Sequence, residues 1–112
     1  MIKQYIDSND LDTFLEVEFI NGKCTWNKEL QRKLSKALGI KETNYPQEHL
    51  ITIGKMIEFI ESKYMIGINN FIGKKYRVKL IKSEYEFEPT IETEETELAD
   101  ALWEACTFIL ED

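Results

Sequence analysis

The sequence predicts an α+β fold: a small antiparallel sheet of two hairpins, in the chain order ββααββα, with three helices packed on it. Three observations predict it. Between Lys74 and Glu97 the charges change sign while apolar residues keep a spacing of two. Around Asn21-Gly22 a second alternating stretch turns back on itself. Three other segments repeat apolar residues at helical spacing, each behind a polar residue suited to an N-cap. With 112 residues, 43% hydrophobic and 12% aromatic, the chain is read as one domain, 1–112, able to bury a core.

The elements follow in order. Asp7 to Thr13 is polar and turn-prone, suited to a turn or to capping a short helix. Leu15, Val17 and Phe19 then alternate with Glu16 and Glu18, and Cys24 and Trp26 continue the alternation beyond Asn21-Gly22. That dipeptide suits a type I′ turn, so a hairpin is predicted at about 14–26. Asn27 caps a helix over 28–38, with Leu30, Leu34, Ala37 and Leu38 on one face and Gly39 as its stop. Residues 41–49 connect to a second helix capped by Thr52, with Ile53, Ile57, Ile60 and Tyr64 toward the core and Met56 and Phe59 widening the stripe. Residues 65–73 are apolar but punctuated by Gly and Asn. They read either as a strand turning at Asn69-Asn70 or as an apolar loop.

The charge switch predicts the second hairpin, around a loop at Ile81–Glu84. Leu80 opposite Tyr85 and Val78 opposite Phe87 give an apolar face. The same register sets Lys79 against Glu86 and Arg77 against Glu88, at about 0.2–1 kcal/mol per pair. A slip of one residue would reverse the faces. Pro89 marks the strand's end or a sheet edge. A third helix is predicted at about 94–110, capped by Thr93 or Thr96. Glu94, Glu95 and Glu97 then sit where the helix dipole favours acids. Leu98, Leu102, Ala105 and Ile109 form one stripe, and Ala99, Trp103, Cys106 and Leu110 a second, so this helix is expected to be largely buried.

Net charge is −7, and all eleven charges after Ser83 are acidic. An acidic total argues against direct nucleic-acid binding, which Lys and Arg contacts to phosphate carry. No apolar run approaches a membrane span, and the first residues do not resemble a signal peptide, so a cytoplasmic protein without membrane contact is expected. Cys24 and Cys106 form no CxxC and are read as free thiols. His49 is the single histidine, in a polar stretch away from either cysteine. Asp7, Asp10 and Asp12 lack the glycine and terminal Glu of a calcium loop. The glutamates near residue 92 lack the facing cleft of a glycosidase pair. Trp26 and Trp103 each continue an apolar pattern and are read as core. No phosphate-binding glycine motif or nucleophile elbow occurs. No catalytic residue, metal ligand or cofactor is assigned.

The runs Thr52-Ile53-Gly54-Lys55-Met56-Ile57-Glu58-Phe59-Ile60 and Glu97-Leu98-Ala99-Asp100-Ala101-Leu102-Trp103-Glu104-Ala105-Cys106 resemble small phage and prophage proteins of Gram-positive bacteria. The resemblance covers about half the chain and rests on amphipathic-helix patterns. It implies an accessory or host-interaction role and assigns no functional residue. The function expected is therefore non-enzymatic: binding a protein partner or self-association. The alternative is an acidic nucleic-acid mimic that inhibits a host nucleic-acid-binding protein, with small-molecule binding or catalysis third. Candidate partner-binding residues are the cluster Glu92, Glu94, Glu95 and Glu97, and Ile68 and Phe71 of the apolar segment.

Overall fold

The chain begins with a segment tied to the middle of the sequence. Ile6 N–H donates to Ile51 O at 3.4 Å and Ile53 N–H to Gln4 O at 3.0 Å, which buries Ile6 and Ile51 side by side. The computed structural model describes residues 3–42, 47–71, 75–82 and 91–111. Helix α1, Ser8–Phe14, follows Asp7, whose carbonyl accepts from Asp10 and Leu11. It buries Leu11, and Leu15 just beyond it, and ends where Glu16 takes a positive φ of 56°. The short helix allowed at Asp7–Thr13 is thus a true element, and it takes Phe14 out of the hairpin predicted from 14.

The hairpin that remains is β1, Glu18–Ile20, paired with β2, Lys23–Thr25, with Phe19 opposite Cys24. Asn21 and Gly22 both have positive φ, 52° and 76°, as a type I′ turn requires. Helix α2, Lys28–Leu38, matches its expected bounds. The Asn27 side chain accepts from Glu29 N–H and Leu30 N–H at 3.1 Å each, and Gly39 leaves the helix in the left-handed region at φ 64°. A short 3-10 turn at Glu48–Leu50 leads to α3, Ile53–Glu61, where Thr52 Oγ1 accepts from Lys55 N–H at 3.2 Å. Its buried side chains are Met56, Phe59 and Ile60, with Ile53, Ile57 and Tyr64 packed at the margin. Ile60 is buried as expected, and the stripe shifts from Ile53 and Ile57 toward Met56 and Phe59, the residues expected to flank it.

Strands β3, Met65–Phe71, β4, Lys75–Ile81, and β5, Ile91–Glu95, form an antiparallel sheet in the order β3-β4-β5. Residues 65–71 are a strand, and Asn69 and Asn70 lie inside it opposite Arg77 and Tyr76 rather than at a turn. The second hairpin needs a larger correction. Both sides of β4 are taken between Tyr76 and Leu80, by β3 and by β5. Leu80 faces Ile91 and Val78 faces Thr93, not Tyr85 and Phe87. The expected partners Tyr85 to Glu88 and the loop before them lie outside the described residues, save Ile81 and Lys82. The reason is parity. Ile91-Glu92-Thr93-Glu94 repeats the alternation of Tyr85-Glu86-Phe87-Glu88 six positions later, so both satisfy the same face-matching rule.

Helix α4, Leu98–Glu111, consequently starts later than predicted. Its first hydrogen bond, Ala101 N–H to Glu97 O at 3.2 Å, makes Glu97 the N-cap. Thr93 caps nothing: it is buried in β5 and its hydroxyl donates to Ala101 O at 2.9 Å, fastening strand to helix. Helices α3 and α4 cover one face of the sheet. Val78, Leu80, Leu102 and Cys106 are fully buried there, with Ala99, Ala101 and Ala105 allowing close approach. Among the described residues the α+β class and antiparallel pairing stand as expected. The arrangement differs in having two sheets, of two and three strands, and four α-helices.

Candidate functional site

The six residues singled out from the sequence do not form one site. Ile68 and Phe71 lie on β3 and Glu92, Glu94 and Glu95 on β5, the two opposite edges of one sheet. On the outer face, Arg77 Nε is 2.8 Å from Glu92 Oε1 and Arg77 Nη2 is 3.4 Å from Glu94 Oε2. Lys75 Nζ is 3.7 Å from Glu94 Oε1. The opposite-charge face predicted for β4 therefore exists, with Glu92 and Glu94 as its acids. Glu95 points to the inner face, and Glu97 serves α4 through its backbone.

Glu95 belongs to a cluster that has no local signature in the sequence. Asp7 and Asp10 from the start of α1, Asp100 and Glu104 from α4, Glu95 and Trp103 line one cleft. Lys3 lies between two of these acids, 2.7 Å from Asp7 Oδ2 and 2.5 Å from Asp100 Oδ1. Burial pulls the Lys3 pKa down, but the hydrogen bonds to Asp100 and Asp7 outweigh it and hold it above the ordinary lysine value. Burial, then the charges of Asp100 and Asp7, raise Asp10. Glu104 is pushed up to about 7 by burial, by its hydrogen bond with Glu95 and by repulsion from Glu95 and Asp100. The contact with a second carboxyl thus adds to burial in favouring the protonated form of Glu104.

Asp7, Asp10 and Asp100 bring carboxylate oxygens within 4.8 Å of one another, a spacing at which acids can hold a hard cation. Here the Lys3 ammonium bridges two of the three, so the chain supplies the positive charge itself. Of the acids weighed in sequence for calcium, Asp12 is not in this group and Asp100 replaces it. No local signal could have found Asp100, which stands 97 positions from Lys3.

The nucleophile candidates are placed in ordinary structural settings. Cys106 is buried, its Sγ 4.0 Å from Met56 O, and burial pushes the thiol up to about 12. A thiol in that state is not a ready nucleophile. His49 is exposed on the 3-10 turn, and Cys24 and Cys106 are both free. Trp26 Nε1 donates to Gln31 Oε1 at 2.6 Å, and Trp103 packs edge-to-face on Phe14 at 5.4 Å.

Two exposed apolar surfaces are candidates for contact with a partner. One is the β1–β2 hairpin, where Phe19 is 79% exposed and Ile20 52%. The other is β3, where Met65 is 50% exposed and Ile68 39%. The second offers more than side chains. β3 is the end strand of its sheet, so among the described residues its backbone is paired on one side alone. It spans seven residues, Met65-Ile66-Gly67-Ile68-Asn69-Asn70-Phe71, with no charge and no proline. Edge strands are commonly blunted by charge, proline, a bulge or brevity, and a long uncharged edge is a template for another strand. Ile66 and Ile68 face inward beside Leu80 and Val78, whereas Met65, Gly67 and Asn69 face outward beside Ile81, Lys79 and Arg77. Phe71 ends the strand opposite Lys75, and its side chain lies outside the described residues.

No protein-family model, curated protein or solved structure matches this chain.

Proposed function

We propose that the protein is a non-enzymatic interaction module that works by strand addition at the edge of β3 that is unpaired among the described residues. The observation behind this reading is one strand: seven residues, uncharged, at the end of the sheet, with Met65 and Ile68 exposed. A strand docking there would gain main-chain hydrogen bonds along β3 and contacts with alternate side chains on each face. The accessory or host-interaction role implied by the phage-type resemblance accords with such a module. The acidic-mimic reading finds less support, because Arg77 and Lys75 compensate Glu92 and Glu94.

The test compares two surfaces of one sheet. Immobilised protein is exposed to a lysate of its source organism as wild type, as Ile68→Lys, and as the double variant Glu92→Gln, Glu94→Gln. The expected result is a captured species lost with Ile68→Lys and kept with the double variant. The opposite pattern would favour the acidic face and end the edge reading.

A further inference from the structure

We infer that the strand added at the β3 edge is the β3 of a second copy, paired antiparallel about a two-fold axis at Ile68. Two three-stranded sheets would then become one sheet of six. The inference rests on the edge reading above and names its partner.

Geometry restricts the register. A two-fold axis perpendicular to the sheet keeps each residue on the same face in both copies. Directly paired residues of an antiparallel ladder also share a face. Paired positions must therefore have the same parity, which places the axis at a residue and not between two. One axis, at position 68, pairs all seven residues of Met65–Phe71. It sets Met65 against Phe71, Ile66 against Asn70, Gly67 against Asn69, and Ile68 against its own counterpart. Ile68, 39% exposed at the margin of the inner face, then lies beside a second Ile68. The contact is isologous and closes as a dimer.

Electrostatics selects this edge over the other for self-pairing. The same construction on β5, centred on Thr93, would set Glu92 against Glu94 twice, and like charges directly opposite are destabilising. β3 has no charged side chain. The bases of β4, Lys75, Arg77 and Lys79, stand one strand behind it. Across the joined sheet they would lie three strand spacings from those of the copy, roughly 14 Å. That exceeds the screening length of about 8 Å at physiological salt. At the centre of the outer face the paired positions are Gly67 and Asn69, which add little bulk, and Met65 is paired with Phe71 at the two ends.

Sedimentation of the purified chain tests the inference, using wild type, Ile68→Lys, Ile68→Glu and an equimolar mixture of the two variants. Circular dichroism confirms that each is folded. Wild type is expected to show a concentration-dependent monomer–dimer equilibrium. Each variant alone should dimerise roughly tenfold more weakly or worse, through like-charge opposition and lost apolar burial. The mixture should recover the dimer, because Lys and Glu face each other only where a position opposes itself. If the variants do not fold, amide exchange of wild type decides: β3 amides should gain protection with concentration and β5 amides should not. A mixture of folded variants that stays monomeric overturns the two-fold register. A wild type that is monomeric at its highest soluble concentration, yet loses lysate capture with Ile68→Lys, overturns self-pairing and leaves edge docking standing. A wild-type dimer indifferent to both substitutions overturns self-pairing at β3.

Discussion

Glu104 holds its proton well above the ordinary glutamate range, and that has a consequence for stability. Folded, its carboxyl is pushed up to about 7, against an ordinary value of 4.5. The folded state therefore binds more protons than the unfolded state between those two values, and stability falls as pH rises through that window. Its contribution is complete below the unfolded pKa and lost by the time pH passes the folded one. Asp10 is raised too and acts in the same sense. Because Glu104 is an exposed residue, solvent screens the effect and the slope is shallow. Urea midpoints measured at about pH 5 and about pH 8 should fall for wild type and fall less for Glu104→Gln. An equal fall in both would show that Glu104 is not the group responsible. Single residues whose work is local were legible in the sequence. Asn27, Thr52 and Gly39 act on backbone groups within four positions of themselves, and Asn21-Gly22 needs only its own dihedrals. Lys3, Asp100 and Glu104 were not legible, because their meeting depends on α1 and α4 packing together from opposite ends of the sequence.

At the scale of elements, the decisive case is β5. Glu94 and Glu95 read as the favourable first turn of a helix, and in isolation that is sound. The strand prevails because Ile91 and Thr93 fill places on the inner face beside Leu80 and Val78, while Glu92 and Glu94 meet the bases of β4. Pairing with a distant strand overrides local preference, as β propensity commonly reflects neighbours rather than the backbone. The register makes a sharp prediction. Glu92 pairs directly with Lys79 and its carboxylate also contacts Arg77. Glu92→Lys should therefore destabilise the fold by about 0.2–1 kcal/mol beyond Glu92→Gln, read from urea denaturation. Equal stability of the two variants would mean that this pairing contributes nothing. By contrast, α2 was legible from end to end, since its cap, apolar face and stop all lie within its own stretch.

For the whole molecule, a net charge of −7 sets the background against which any association occurs. Two copies repel at long range, while the proposed β3 contact brings no charges face to face. Added salt screens the first effect and leaves the second. Dimerisation should therefore strengthen as ionic strength rises from about 0.01 M to about 0.15 M, measured by sedimentation at fixed pH. Weakening over that range would point instead to an association driven by opposite charges. The α+β class, the antiparallel pairing and a buried last helix were all readable from pattern alone. The partition into two sheets was not, because a period of two shows which face a side chain takes and not which strand stands beside it.

The position of α4 in the chain has a bearing on biogenesis. Its side chains Ala99, Leu102, Ala105 and Cys106 are wholly enclosed, and they meet strands and helices made earlier. When β3 and β4 have emerged from the ribosome, much of the cover of their inner face has yet to follow. The nascent chain at that point exposes Val78 and Leu80 together with an uncharged strand. Folding must then wait for the last helix to leave the exit tunnel, and the interval is when a chaperone has most to shield.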